Sequence, residues 1–397
     1  MHRCASGTPR ATHHARGATK HNARLPNYRS RPSGAVRRSC PRGGVHADFF
    51  HCVLTVEGEM RVYAGMDPAL PLREVATYTR RVEALGFDGI RIPESIHDAL
   101  MVATLVVEHS VKLQVGTGVM LAFPRSPMVV ALAAWDLQAL SGGRFVLGLG
   151  SQVRGNMIGR FSGSWAPPVP RMRDYIASLR AIWAAFQSGS PLTHRSEHYT
   201  FTRLQPLFNP GPIEFPHIPI ALGAVNPGMC RLAGGSVEEL ITHPTNSSRD
   251  YLQKVVLPSL REGSADAVAA SVSLTAMVPL ITASSLQQLD LERGRQRRLF
   301  AQLFSTPNYG FTLKALGWQE VGERLHQLSK RGCWAEMEAL ITDEMLDAIA
   351  PAALHDEIAD ALLHRYVNTA DALLLMPPDT PIHDDALRAV IAALRAG

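Results

Sequence analysis

Residues Val111–Asn156, VKLQVGTGVMLAFPRSPMVVALAAWDLQALSGGRFVLGLGSQVRGN, read as strand, loop, helix, glycine turn, strand and a polar loop opening where the second strand ends. Val111 to Val119 is rich in β-branched and apolar residues. Ser126 is a good N-cap and Pro127 suits the first helical position, where its missing N–H would have no partner anyway, so the helix starts near Met128. Val129, Leu132, Ala133, Leu137 and Leu140 recur at helical spacing, and Gly142-Gly143 ends the run before Phe145–Gly150. This is one βαβ unit. A continuous apolar strand joined by a crossover helix implies a parallel sheet covered on both faces, and glycines at strand ends let a backbone approach a ligand.

The alternation continues on both sides. Strands are expected at Arg61–Gly65, Asp88–Pro93, Ile218–Gly223, Leu240–Thr242, Val272–Thr282 and Ala370–Met376. Helices are expected after Asp67-Pro68 up to Gly86, over Ala99–His109, from Pro170 or Arg171 to Gly189, over Asn226–Gly234 and behind a Ser248 cap. Two or three more are expected between Leu286 and Ile349, and a last one over Asp384–Arg395. Eight βα units make an α/β fold of the TIM (β/α)8 barrel type over residues 60–397, with insertions such as the proline-rich GRFSGSWAPPVPRM.

The chain has 397 residues, 46% of them hydrophobic and 19% charged, with no uninterrupted apolar run of membrane-spanning length. Residues 1–59 hold ten Lys/Arg against three acids, Asp48, Glu57 and Glu59. That segment therefore carries +7, and the rest of the chain −2 of the net +5. Arg-, His-, Gly- and Pro-rich sequence without apolar period cannot bury enough surface to offset its ordering entropy, so residues 1–59 are expected to be a disordered basic tail. Met60 begins MRVYAGMDP like a natural start, which makes the tail a candidate for untranslated upstream sequence. A basic tail without interleaved aromatics does not make a nucleic-acid site. Cys230 and Cys333, the two cysteines after the tail, form no CxxC pair or metal spacing, and no metal site is expected; a reducing cytoplasm suits this usage.

In such a barrel the site forms at the C-terminal ends of the strands. That selects the loops Glu94–Asp98, Gly118–Met120, Gly150–Asn156, Gly223–Pro227 and Thr242–Ser248. Asn226-Pro227 at a helix start, behind Gly223-Ala224, is suited to an anion. A histidine can move a proton near neutral pH, and His97, with Asp98 beside it in the loop after the second strand, is a candidate for that task.

GFDGIRIPES (Gly86–Ser95), VGTGV (Val115–Val119), FPRSP (Phe123–Pro127), LSGGRFVLGLG (Leu140–Gly150) and IPIALGAVNPGMCRLAG (Ile218–Gly234) together resemble the luciferase-like monooxygenases and deazaflavin-dependent oxidoreductases, in that family's order. The resemblance implies coenzyme F420 as cofactor, FMN being the alternative, with a small organic substrate exchanging hydride and a homodimeric assembly. It implies a non-proline cis bond at Gly118-Val119 pressed against the ring. It also implies cofactor contacts from Glu94, Gly118, Val119, Ser151, Gln152 and Asn156, and phosphate contacts from Gly223, Asn226, Thr242 and His243.

The family pattern is altered in three places. Glu94-Ser95 stands where relatives have an Asp-His pair, Val153 where they have an acid, and Glu238-Glu239 where Asp-Gly is expected. An FMN-dependent monooxygenase on the same barrel is a second reading, and the missing base and acid keep a third open, a non-catalytic cofactor-binding protein. Arg125 and Arg160 are candidates to meet the acidic tail of a deazaflavin.

Overall fold

The computed structural model describes residues 59–265, 272–378 and 382–397. The basic tail, with Cys4, Cys40 and Cys52, lies outside them except for Glu59.

Eight strands form the barrel: β1 (Arg61–Gly65), β2 (Gly89–Ile92), β3 (Gln114–Thr117), β4 (Phe145–Gly150), β5 (Ile220–Gly223), β6 (Glu239–Ile241), β7 (Ser273–Pro279) and β8 (Ala372–Met376). Each pairs in parallel with the next, and β8 pairs with β1, so the sheet closes without an edge. The helices that matter below are α1 (Val75–Leu85), α2 (Ala99–Glu108), α3 (Pro127–Leu140), α4 (Pro168–Ser188), α5 (Pro227–Ser236) and α6 (Leu286–Phe304). The expected caps are present: Ser126 Oγ accepts from Met128 N, and Ser248 caps the turn at Arg249–Tyr251.

Two departures have local causes. Pro279 cannot donate to the ladder, and the seventh strand, expected as one run to Thr282, breaks there; Ile281–Ala283 is a separate strand paired in parallel with Ala352–Leu354. Between these two short strands lie five helices rather than two or three, because Pro307, Gly317 and Gly332 interrupt the run, the two glycines with φ of 82° and 69°. This inserted lobe has its own apolar core around Phe300, Phe304, Leu313, Leu325 and Leu346.

The main core lies between barrel and helices, and a smaller one inside the barrel is built from Tyr63, Val146, Ala221, Ile241, Ala372 and Leu374. Beside the inner core stands a charged residue. Arg91, on β2, is fully buried, with Cζ 3.8 Å from the Tyr63 ring centre and Nη2 2.9 Å from Glu239 Oε2 on β6. Glycines make the room: a Cβ at Gly116 would come within 3.1 Å of the Arg91 guanidinium, and one at Gly118 within 2.8 Å of Arg91 Cβ. Gln114 Oε1 accepts from Arg91 Nη2, and Thr275 Oγ1 donates to Glu239 Oε1. Burial alone would lower the Arg91 pKa, but Glu239 and Tyr63 hold it up and keep the group charged.

On α3 the buried face is Val130, Ala131, Ala134, Trp135 and Leu137. Of the residues picked out by spacing, Val129, Leu132 and Leu140 point outward, 57%, 38% and 53% exposed, and Met101 on neighbouring α2 is 59% exposed. A helix that is apolar all round gives no periodic clue to its buried side.

Candidate functional site

The C-terminal ends of the strands surround a cavity of about 700 Å³, within the size range of small-molecule and cofactor sites. Its base is made where β3 ends. The Gly118-Val119 bond is cis, as the resemblance implied, and the chain then runs into Met120–Leu121, which pairs with the end of β4. The Val119 side chain lies over two neighbouring strand ends that have no side chains of their own. A Cβ on Gly150 would come within 2.5 Å of Val119 Cγ2, and one on Gly223 within 3.1 Å of Cγ1.

Of the residues selected from sequence, Glu94, Gly118, Val119, Ser151, Gln152, Gly223, Asn226, Thr242 and His243 line this cavity. Asn156 and His97 do not. Asn156 is exposed on the turn Arg154–Gly159, where its Nδ2 donates to Gln152 Oε1, which also accepts from Val153 N. His97 is half-buried in the β2 loop, outside the wall.

Most polar side chains here are already committed. Glu94 accepts from Leu121 N at 2.6 Å and pairs with Arg125, whose Nη2 lies 2.5 Å from both Glu94 Oε1 and Asp98 Oδ2. Asp98 in turn caps α2 through Leu100 N and Met101 N. Burial raises the Asp98 pKa, but the Met101 N–H and Arg125 outweigh it and leave the carboxyl below its ordinary value. Arg125 thus clamps two loops together. Arg160 donates to Ser95 O and lies over the Phe161 ring. The Thr242 hydroxyl is 2.5 Å from Ser247 Oγ and accepts from Met277 N.

Arg91 is paired through Nη2 while its Nε and Nη1 are buried without partners, and Asn226 and His243 are less committed. Asn226 precedes α5 without capping it, and its Oδ1 is buried without a partner. His243 Nδ1 lies 2.9 Å from Thr245 Oγ1 and accepts from Thr245 N at 3.4 Å. Its ring stacks on Tyr309 with centres 4.7 Å apart and planes 8° from parallel, and burial pushes its pKa down to about 4.

The opposite wall was not foreseen. Leu299, Leu303, Asn308 and Tyr309 come from the inserted lobe, Trp165 from the segment leading into α4 and Val169 from its first turn. Nothing in their spacing marks them, since only the folded insert carries them to the mouth. Among the lining residues the charged side chains of Arg91 and Glu94 are both paired, so the cavity offers neutral polar groups on an otherwise apolar surface.

Comparison with known proteins agrees with this architecture. The chain is 38% identical to an uncharacterized protein of Mycobacterium tuberculosis over 315 residues, 78% of this chain and 92% of that one. It is 25% identical to the 5,10-methylenetetrahydromethanopterin reductase of Archaeoglobus fulgidus over 306 residues, 74% of this chain and 86% of that one. Its fold is shared with the coenzyme F420 dependent tetrahydromethanopterin reductase of Methanopyrus kandleri, with a TM-score of 0.69 at 16% identity over 85% of this chain and 98% of that one. The family model described as luciferase-like monooxygenase matches residues 47–372, and the chain belongs to that family.

Proposed function

We propose that this protein is a coenzyme F420-dependent oxidoreductase that exchanges hydride between the deazaflavin and an uncharged, largely apolar organic substrate. The observation that carries this reading is the side-chain-poor base at Val119, Gly150 and Gly223 beneath a cavity with no unpaired charge. Such a base accepts a polycyclic ring, and a neutral lining excludes a charged substrate by the cost of desolvating it. Similarity to the Archaeoglobus reductase, and the F420 dependence named for the Methanopyrus reductase, support the choice of cofactor.

The residues fit the ring and the phosphate. Gly118 and Val119 would carry the ring, Ser151 and Gln152 would flank it, and Gly228 in the first turn of α5, with the uncommitted Asn226, would receive the phosphate at a helix N-terminus. No lining cation is left for an acidic tail, which therefore extends out of the cavity. When bound, the deazaflavin supplies a two-electron hydride donor or acceptor; the protein positions it, excludes water and manages the substrate proton.

The test is a titration of the full chain with coenzyme F420 and separately with FMN, followed by Trp fluorescence, since Trp165 lines the cavity. F420 binding well ahead of FMN, with hydride exchange on alcohols, ketones or enones, supports the reading. Preference for FMN with substrate-dependent oxygen uptake replaces it with a monooxygenase, and F420 binding without turnover across such a panel replaces it with a binding protein.

We also propose a homodimer through the outward apolar side chains Met101, Val129, Leu132 and Leu140 on α2 and α3. Leu132→Glu is expected to halve the mass measured by light scattering without lowering the melting temperature of the subunit; an unchanged mass excludes this face.

A further inference from the structure

Resting on the hydride-exchange reading, we infer that Tyr309 and His243 form the pair that holds and protonates the oxygen of a carbonyl substrate, Tyr309 as the acid and His243 as its neutral hydrogen-bonding partner.

His243 Nδ1 faces two groups of Thr245 able to donate to it, the hydroxyl at 2.9 Å and the backbone N–H at 3.4 Å, and with both donating the ring proton sits on Nε2. That nitrogen lies 3.5 Å from Tyr309 Oη, and both rings line the cavity. The His243 backbone is pinned as well, its N–H donating to Asn246 Oδ1 at 2.7 Å. The imidazole is therefore fixed from its Nδ1 side and presents a donor at the other. Burial keeps it uncharged down to about pH 4, and a neutral imidazole acting as a donor is a known catalytic device.

Other lining groups are engaged elsewhere. Glu94 is held by Arg125 and Leu121 N, Thr242 by Ser247 and Met277 N, and Gln152 Oε1 by Val153 N and Asn156. His97 is not in the wall. Tyr309 is joined to its surroundings through a ring stack and one long hydrogen bond, so its hydroxyl can turn to a ligand. The neighbouring surface is Leu299, Leu303 and Trp165, which suits a ketone with apolar substituents.

In the reducing direction the hydride adds to the carbonyl carbon and the C=O π pair moves to oxygen. The oxygen takes the Tyr309 phenolic proton, giving the alcohol. The phenolate left behind, next to the His243 Nε2–H, takes one proton back from water and is phenol again. Alcohol oxidation runs through the same groups in reverse.

The experiment uses the full chain with oxidised F420 and carbonyl-labelled acetophenone, which cannot react in that state. The carbonyl stretch is expected to move to lower wavenumber on binding and to return towards its free value in Tyr309→Phe and, less, in His243→Asn. With reduced F420, Tyr309→Phe is expected to lower kcat for ketones about 100-fold or more, with F420 affinity within about two-fold and the melting temperature unchanged. A bound carbonyl whose stretch is the same in wild type and both variants, or ketone turnover unaffected by Tyr309→Phe, overturns the assignment while leaving the hydride reading intact. Failure of the wild type to bind F420 overturns both.

Discussion

Arg91 and Arg125 each reach a carboxylate within 2.9 Å, yet they stand in opposite settings. Arg91 is inside the barrel with a fully buried side chain, beneath the cavity base. Arg125 is at the rim, one-fifth exposed, and ties the loop after β2 to the loop after β3. The interior pair fills space that Gly116 and Gly118 leave beside it, whereas the rim cluster fixes the position of Glu94 and the start of α2. Together they explain why a cavity bordered by charges offers none to a ligand.

The largest effect is expected from breaking the inner pair. Glu239→Ala leaves a buried guanidinium whose Nε and Nη1 already lack partners, and should cost about 3–5 kcal/mol in denaturant unfolding. The double change Arg91→Met with Glu239→Leu should recover most of that loss; a double variant as unstable as the single would show that volume and not charge sets the cost.

Acid sharpens the contrast through a group that carries no charge. His243 has a folded pKa near 4 against an ordinary 6.5, so the unfolded chain binds the proton more readily. Its contribution is fully present above pH 6.5 and is lost as pH falls towards 4. The total is on the order of 3 kcal/mol. His243→Asn should flatten the acid limb of the stability profile over that window, and an unchanged limb would assign it to the carboxylates.

At the rim the effects are smaller. Arg125→Ala leaves Glu94, 8% exposed at its side chain, with the Leu121 N–H as its remaining bond, and should cost about 1–3 kcal/mol in stability while weakening F420 binding. Asp98→Ala removes a helix cap and one partner of Arg125, and about 1 kcal/mol is expected. An Asp98 effect exceeding that of Arg125 would reverse the order of importance given to cap and clamp.

Much of this was legible in the sequence for physical reasons. The strands β1 and β4 were found to the residue, because a short apolar run bounded by glycine or a charge leaves little choice, and the loops at their ends follow from the barrel. The unusual Glu239 was also visible as a departure, although its partner was not. Arg91 lies 148 residues away in sequence, and only closure of the sheet brings the two together. The outward face of α3 was hidden by its uniform apolarity. Tyr309 was hidden more deeply, since its role depends on how an insert folds and not on any local pattern.

That insert has an architectural consequence. Its entry and exit strands pair with each other through Ile281–Ala352, Thr282–Ala353 and Ala283–Leu354, and its helices pack on their own core. The lobe joins the barrel at this strand pair and through contacts beyond it, among them Arg365 with the Asp347 and Ala348 carbonyls and Tyr309 with His243. Exchanging residues 284–351 between relatives would then swap the lobe side of the substrate wall, Tyr309 included, while the base under the ring stays as it is, so new specificities are reachable by grafting one continuous stretch of chain.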